Sequence, residues 1–252
     1  MVNFFSLSSC SDGNSFVLYS NPEELILIDA GLSYRKTRKL LESKSLSIEN
    51  LKAIVITHFH RDHFIGLESI LKKNPSINLY FNNNYKNHYQ NHLFKIPFEF
   101  GKSFSVFDFE FFPFEISHDM LNTGFIINYH DSKIGFLSDM GQFDDNLIPF
   151  LKDIKILVIE SNHSKEGLHK SKYSDSLKQR ILSENGHLSN DDTLKVIKKL
   201  YNQNIKYIFL HHLSKRTNSP EVVYNEIIAQ FQSEKTKFVI SPYNSPSETI
   251  TL

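Results

Sequence analysis

At 252 residues and 40% hydrophobic content, the chain can bury a substantial core, and its length suits one domain over residues 1–252. Lys plus Arg and Asp plus Glu both total 28, so the formal net charge is zero; global charge announces no nucleic-acid partner, and any basic surface must be local. The single cysteine, Cys10, excludes an internal disulfide and suits a reducing compartment. The start, Met1 to Ser6, lacks a basic region followed by a long apolar core, and no run approaches the roughly 18 apolar residues of a membrane span. A soluble cytoplasmic protein with no membrane partner is the expectation.

Phe4 to Leu7 and Ser15 to Tyr19 read as two strands joined through a turn at Asp12-Gly13-Asn14. A third strand, Glu24 to Ile28, ends in Asp29-Ala30-Gly31, where Asp29 suits the cap of a following helix. That helix is predicted over Ser33 to Ser43, with Leu40 and Leu41 inward and Arg35, Lys36, Arg38 and Lys39 solvated. Leu51 to Thr57 is rich in β-branched residues and reads as a buried parallel strand, whose end is where an α/β sheet presents chemistry. There stands Thr57-His58-Phe59-His60-Arg61-Asp62-His63, which crowds three of the chain's 12 histidines and a carboxylate together. Neutral imidazoles and carboxylates are what zinc, manganese or iron accept, so the spacing suggests ligands converging from a loop. His58 and His60 form one pair, Asp62 and His63 another. A helix is predicted from Ile65 to Asn74-Pro75, then a strand from Ile77 to Phe81. In the polar stretch to His92, His88 and His92 are spaced to share a helix face, but without an acidic companion they read as solvent-exposed.

From Phe98 to Ile116 large apolar residues recur at about every second position, the pattern of half-buried antiparallel strands, and this aromatic stripe reads as core. It delivers Ser117-His118-Asp119. Strands at Gly124 to Tyr129 and Lys133 to Leu137 flank a turn at His130-Asp131 and lead into Ser138-Asp139-Met140-Gly141. A carboxylate leaving a buried strand before a glycine turn can reach two cations, one through each oxygen. Ile154 to Ile159 is a further buried strand running into Glu160-Ser161-Asn162-His163. Gly186-His187-Leu188-Ser189-Asn190 then precedes a well-capped helix from about Asp191 to Tyr201. The strand Ile205 to Leu210 ends in His211-His212-Leu213-Ser214, with Asn218 beyond; a helix (Glu221 to Phe231) and a strand (Lys237 to Ile240) complete the chain. Lys165, Lys170, Lys172, Lys178 and Arg180 cluster before His187 and read equally as a phosphate-binding patch or a solvated charged loop.

The segment Thr57 to His63 resembles the His-x-His-x-Asp-His signature of the metallo-β-lactamase-fold hydrolases. The blocks at Glu160, Gly186 and His212 resemble the Glu-x-Asn-His, Gly-His-Leu-Ser-Asn and His-Leu-Ser elements of the WalJ (YycJ) subfamily, itself similar to RNase Z and the β-CASP nucleases. The resemblance runs over nearly the whole chain, with its motifs in the expected order. It implies an α/β (α+β) fold, a four-layer αββα sandwich, and two divalent metal ions, Zn2+ or Mn2+. One metal would be held by His58, His60 and His118 and the second by Asp62, His63 and His212, with Asp139 and a hydroxide bridging them. His212 is assigned over His211 because Leu-Ser follows it. Asp29, Glu160 and Asn162 are implied to support the ligands without binding metal, Glu160 by orienting His212. Asp62 and His187 are the implied catalytic residues, with His187 donating a proton. The implied substrate is a nucleic-acid phosphodiester, DNA favoured and cut exonucleolytically, with Lys170, Lys172 and Arg180 available to its phosphates. A β-lactam is a poor candidate. The enzymatic rival is hydrolysis of a small phosphodiester or thioester, and a rival of another class is a non-catalytic binding module on the same fold.

Overall fold

In nearly every strand, alternate residues face two different cores, and this period-two pattern stacks the molecule into layers. The computed structural model describes residues 1–87, 92–202, 204–231 and 235–252. In chain order the strands are β1 (Asn3–Ser8), β2 (Ser15–Tyr19), β3 (Leu25–Ile28), β4 (Leu51–Val55), β5 (Asn78–Asn82) and β6 (Lys95–Phe98). There follow β7 (Phe104–Val106), β8 (Phe109–Ile116), β9 (Asn122–Tyr129), β10 (Ser132–Leu137), β11 (Ile156–Glu160), β12 (Tyr207–His211), β13 (Lys237–Ile240) and β14 (Ile250–Thr251). Among the described residues they form two seven-stranded sheets, β14-β1-β2-β3-β4-β5-β6 and β13-β12-β11-β10-β9-β8-β7.

Phe4, Phe16, Ile26, Val55 and Tyr80 of the first sheet meet Phe111, Phe125, Phe136, Val158 and Phe209 of the second in one shared core. Their sequence neighbours Phe5, Val17, Leu27, Ile54 and Leu79 point the other way, to helices α1 (Tyr34–Glu42) and α3 (Leu67–Lys73), which come before and after the short α2 (Arg61–Phe64). After the short α4 (Lys165–Lys170) and α5 (Asp175–Leu182) come α6 (Asn190–Leu200) and α7 (Pro220–Glu226), which lie behind the second sheet; Leu157, Ile159, Ile208 and Leu210 pack there against Val196, Ile197 and Val223. The layers are therefore helix, sheet, sheet, helix, as expected. Each fully buried Phe of the central layer contributes about 1.5–3 kcal/mol. No helix among the described residues is long and apolar enough to cross a membrane.

Three local expectations are corrected. The aromatic run from Phe98 to Ile116 belongs to two sheets: β6 pairs parallel with β5, the chain turns at Gly101 (φ +74°), and β7 and β8 open the second sheet as an antiparallel pair. The helix expected from Ile65 starts at Arg61, so Asp62 and His63 lie on a helical turn, and it breaks at Gly66. A Cβ on Gly66 would stand 1.7 Å from the Leu32 carbonyl oxygen, so only glycine lets this turn press against the loop after β3. The carboxy-terminal helix ends at Glu226, followed by a 3-10 turn (Ile228–Gln230), and the last strand, β14, closes against β1. Of the two spaced histidines, His88 lies outside the described residues, and His92 reaches the Ile77 carbonyl with Nε2 at 2.7 Å.

Strands β3 and β4 are parallel, as are β10, β11 and β12, while β8 runs with β10 because both oppose β9. The motif residues follow the carboxyl ends of these strands, so they gather along one edge of the sandwich, as in other α/β sheets.

Candidate metal centre

Asp29 follows β3 in the left-handed backbone region (φ 61°) and is fully buried. It does not cap α1, whose cap is Ser33. Its Oδ1 accepts the Thr57 N–H at 2.9 Å, both its oxygens lie within hydrogen-bond distance of the Thr57 hydroxyl, and Oδ2 lies 2.7 Å from Nδ1 of His63. Because the Thr57 proton goes to Asp29, Thr57 Oγ1 is the acceptor for Nδ1 of His58 at 3.0 Å. Both imidazoles are thereby fixed by Nδ1 and present Nε2 to the site. This is how carboxylates and hydroxyls usually hold metal-ligating histidines.

His118, just after β8, is fixed in the same manner by the Gly186 carbonyl, 3.1 Å from its Nδ1, and its Nε2 lies 3.0 Å from Nδ1 of His60. Asp139 follows β10 and His212 follows β12, both in the left-handed region (φ 55° and 56°). Such backbone costs about 1–3 kcal/mol in a non-glycine residue and tends to cluster at functional sites. His58, His60, His118 and Asp139 bring ligand atoms within 4.8 Å of one another, and so do Asp62, His63, Asp139 and His212. Asp139 belongs to both groups. A third group at the same spacing joins Asp139 and His212 to Glu160 and His187. Nε2 of His58 and of His212 is buried without a hydrogen-bond partner among the described residues, as fits an atom meant for a cation.

The neighbouring His211 is spent elsewhere. Its Nε2 donates to the Leu137 carbonyl at 3.1 Å, and its Nδ1 lies 3.3 Å from Ser9 Oγ. Glu160 accepts the backbone N–H groups of Met140 (2.5 Å) and Leu188 (3.1 Å) on Oε1, while Oε2 faces Nδ1 of both His187 (3.1 Å) and His212 (3.3 Å). Asn162 donates from Nδ2 to the His212 carbonyl at 3.1 Å.

The electrostatics divide the site. Burial holds His58, His60 and His118 below the ordinary imidazole range, with the neighbouring histidines adding to the effect, so these are neutral and ready to ligate. Burial also opposes charge on His63 and His212, but the carboxylates around them, Asp139 first, outweigh it and raise both well above the ordinary range. In Asp139 and Asp62 burial is likewise overcome, by those same imidazolium groups, and both carboxyls are depressed. Glu160 falls to about 2, its burial outweighed chiefly by His187. A cluster of carboxylates holding protons on two imidazoles is a site that calls for positive charge.

Four features had no sequence signal strong enough to place them. Asn14 was legible only as a turn residue, yet its Nδ2 lies 3.0 Å from Asp62 Oδ2 and 3.0 Å from His63 Nε2. Ser9 donates to Asn14 Oδ1 at 2.8 Å and accepts the His212 N–H at 2.9 Å, fastening the first hairpin to the last motif. Asp119 lies 3.1 Å from His60 Nε2 and pairs with Arg180, whose Nε donates to it at 2.7 Å. Asn190 and Asn218 form a polar network with Ser161 and Glu226, so the tail of the Gly-His-Leu-Ser-Asn block is structural.

Arg180, Tyr173, His118 and His187 line a cavity of about 240 Å³ beside the ligands. Lys170 and Lys172 are exposed and are not among its lining residues; Lys170 pairs with Glu166, Lys165 with Asp191 at 3.0 Å, and Lys178 donates to the His169 carbonyl at 3.0 Å. Most of the expected basic cluster is thus offset by its own neighbours, and Arg180 alone of the three candidate phosphate ligands reaches the cavity.

Residues 24–212 match the family described as Beta-lactamase superfamily domain. The chain is 35% identical over 233 residues to the exodeoxyribonuclease WalJ of Streptococcus pneumoniae, covering 89% of this chain and 86% of that one. It is 32% identical over 228 residues to the exodeoxyribonuclease YycJ of Bacillus anthracis, covering 88% and 86%. Among solved structures, the metallo-β-lactamase fold protein YhfI of Bacillus subtilis superposes with a TM-score of 0.77 at 14% identity, over 99% of this chain and 98% of that one. With the αββα layers, the ligand edge and these relatives in agreement, the chain belongs to the metallo-β-lactamase-fold superfamily and, within it, to the WalJ/YycJ family.

Proposed function

We propose that this protein is a metal-dependent hydrolase of nucleic-acid phosphodiesters, acting on DNA from an end. The observation that carries this reading is Asp139, whose carboxylate is shared by two adjoining groups of imidazole and carboxylate donors. His58, His60 and His118 would hold one divalent ion, Zn2+ or Mn2+, and Asp62, His63 and His212 the other, with Asp139 common to both. Such a pair, when bound, lowers the pKa of water and offsets charge building on a phosphoryl group. The names of the two relatives above, both exodeoxyribonucleases, support DNA as the substrate.

The chain's own residues supply the rest. His187 faces the cavity with Nδ1 engaged by Glu160. That contact orients the ring so that Nε2 is left to donate a proton to the leaving oxygen as a general acid. Arg180, held at the cavity rim by Asp119, meets a phosphate; Lys170 and Lys172, exposed and outside the cavity lining, would meet phosphates only of a strand extending beyond it. Asp29 and Asn162 keep His63 and the His212 turn in place. The core shared by the two sheets supports reading residues 1–252 as one domain.

The test is cleavage of end-labelled single- and double-stranded DNA beside bis(p-nitrophenyl) phosphate, by protein stripped with chelator and then reloaded with Zn2+ or Mn2+. Metal-dependent shortening of DNA from one end is expected. Hydrolysis of the small ester without any DNA cleavage would show a small-phosphodiester enzyme instead.

A further inference from the structure

A second cavity, about 510 Å³, opens on the other side of His118. It lies within the roughly 300–1,000 Å³ typical of small-molecule pockets. Its chemistry differs from that of the Arg180 side. Two of the chain's three methionines, Met120 and Met140, line it with Leu121 and Leu147, and Met140 is fully buried. Glu115 and Asp144 line it as well, and among the described residues no Lys or Arg does. An anionic phosphate is repelled there, whereas a flat, neutral ring gains contact with thioether and leucine side chains.

Polar groups on the wall are positioned for such a ring. Gln142 has no hydrogen-bond partner among the described residues. The Ser117 hydroxyl, 2.7 Å from the Glu184 carbonyl, also lies 3.0 Å from the Asn185 side-chain amide, which keeps polar capacity for a ligand. Because His118 lines both cavities, a ligand bound at the metal ligands reaches Arg180 on one side and the methionine-lined cavity on the other.

We propose that this cavity seats the nucleobase of the terminal nucleotide, while the phosphodiester lies across the metal ligands towards Arg180. This assignment rests on the nuclease reading above. Methionine and leucine adapt to any base, and the amides of Gln142 and Asn185 satisfy its edge, so the seat recognises a base without selecting which one. It also gives a physical reason for acting at an end, since a base with neighbours stacked on both sides does not enter a side pocket without leaving the stack.

The test compares oligodeoxynucleotides ending in intact nucleotides with the same oligonucleotides ending in abasic residues, and follows bis(p-nitrophenyl) phosphate alongside. The metal-loaded wild-type protein should favour intact ends in kcat/KM by at least about tenfold, the usual worth of filling a pocket of this kind. Leu121→Trp, which fills the cavity, and Gln142→Ala, an exposed change that spares the core, should erase or reduce that preference. Both should leave hydrolysis of the small ester, which carries no base, within about twofold of wild type. Equal cleavage of intact and abasic ends by the wild type would overturn the base seat and leave the nuclease reading standing, as would a preference undiminished in Leu121→Trp. A wild type that cuts the ester but neither oligonucleotide would overturn both.

Discussion

Oε2 of Glu160 lies 3.1 Å from Nδ1 of His187 and, on its other flank, 3.3 Å from Nδ1 of His212. One buried carboxylate therefore holds the proposed proton donor and flanks a proposed metal ligand, whose Nδ1 lies closer, at 2.9 Å, to Oδ1 of Asp139. Substrates with different leaving groups separate these roles. His187→Ala should lower kcat on DNA by about 10²–10⁴, the ordinary worth of general acid catalysis, because a sugar alkoxide needs a proton to depart. On bis(p-nitrophenyl) phosphate, whose leaving group departs unprotonated, the loss should stay under about tenfold. Equal losses on the two substrates would show that His187 acts through the structure of the site rather than as an acid.

Asp29 tests whether support from behind a ligand matters here. Asp29→Asn keeps an acceptor for Thr57 and tolerates the left-handed backbone, but it removes the charge that faces His63 at 2.7 Å. Metal affinity, measured by competition with a chromophoric chelator, should fall by about 10–100-fold with the fold intact by circular dichroism. An unchanged affinity would reduce Asp29 to a loop fastener.

The contrast between Asp29 and Asn14 shows how far the sequence could be read. His58 to His63 was legible because its donors are adjacent in the chain; His118 and Asp139 each follow an apolar run that reads as a strand, and the resemblance singled them out, while His212 was told from His211 only by the Leu-Ser of the resembled motif. Strand ends on one edge then converge by topology alone. Asn14 and Asp119 were not legible in their roles, since each acts through a partner 48 or 61 residues away, Asp62 and Arg180 respectively, and nothing local marks such pairing. The break at Gly66 was equally hidden: it depends on the Leu32 carbonyl pressing on the helix, a contact between segments. The division of the Phe98 to Ile116 run between two sheets was invisible because strands of both sheets turn their apolar residues into the one shared core, where Phe98 of β6 stacks on Phe104 of β7.

Metal loading should be proton-coupled, and unequally so at the two positions. His58, His60 and His118 are held below the ordinary imidazole range by burial, so a first ion entering there displaces no proton at neutral pH. His63 and His212 are raised well above 6.5, in the face of burial, by Asp139 and its neighbours, and an ion entering there must expel their protons. Calorimetric titration of the stripped protein in two buffers of different ionisation heat should show one binding phase without proton release and another releasing about one to two protons. The sign for stability follows: in the stripped protein these raised groups contribute fully below pH 6.5, and the contribution is lost as pH rises through their folded values. The stripped protein should therefore lose thermal stability towards alkaline pH and regain it with metal. Identical proton counts for the two phases would contradict the division.

His211 gives a pH effect of opposite sign, set chiefly by its burial. Its ring packs against Phe16 and Phe136, with centroids at 5.2 Å and 6.1 Å, and burial, with the nearby His212, pushes its pKa down to about 4. The unfolded chain, titrating at 6.5, binds this proton more readily than the folded one, so stability is complete above pH 6.5 and declines as pH falls towards 4. At the rate of about 1.4 kcal/mol per pH unit, the full loss is on the order of 3 kcal/mol. His163, also held at about 4 by burial, adds a loss in the same direction. His211→Gln removes only the His211 part, and comparing the difference between pH 7 and pH 5 in variant and wild type cancels what the two share. Urea unfolding should show a distinctly shallower pH dependence in the variant, whatever its stability at pH 7. Parallel curves would mean that the ring buried behind His212 takes up its proton as easily folded as unfolded.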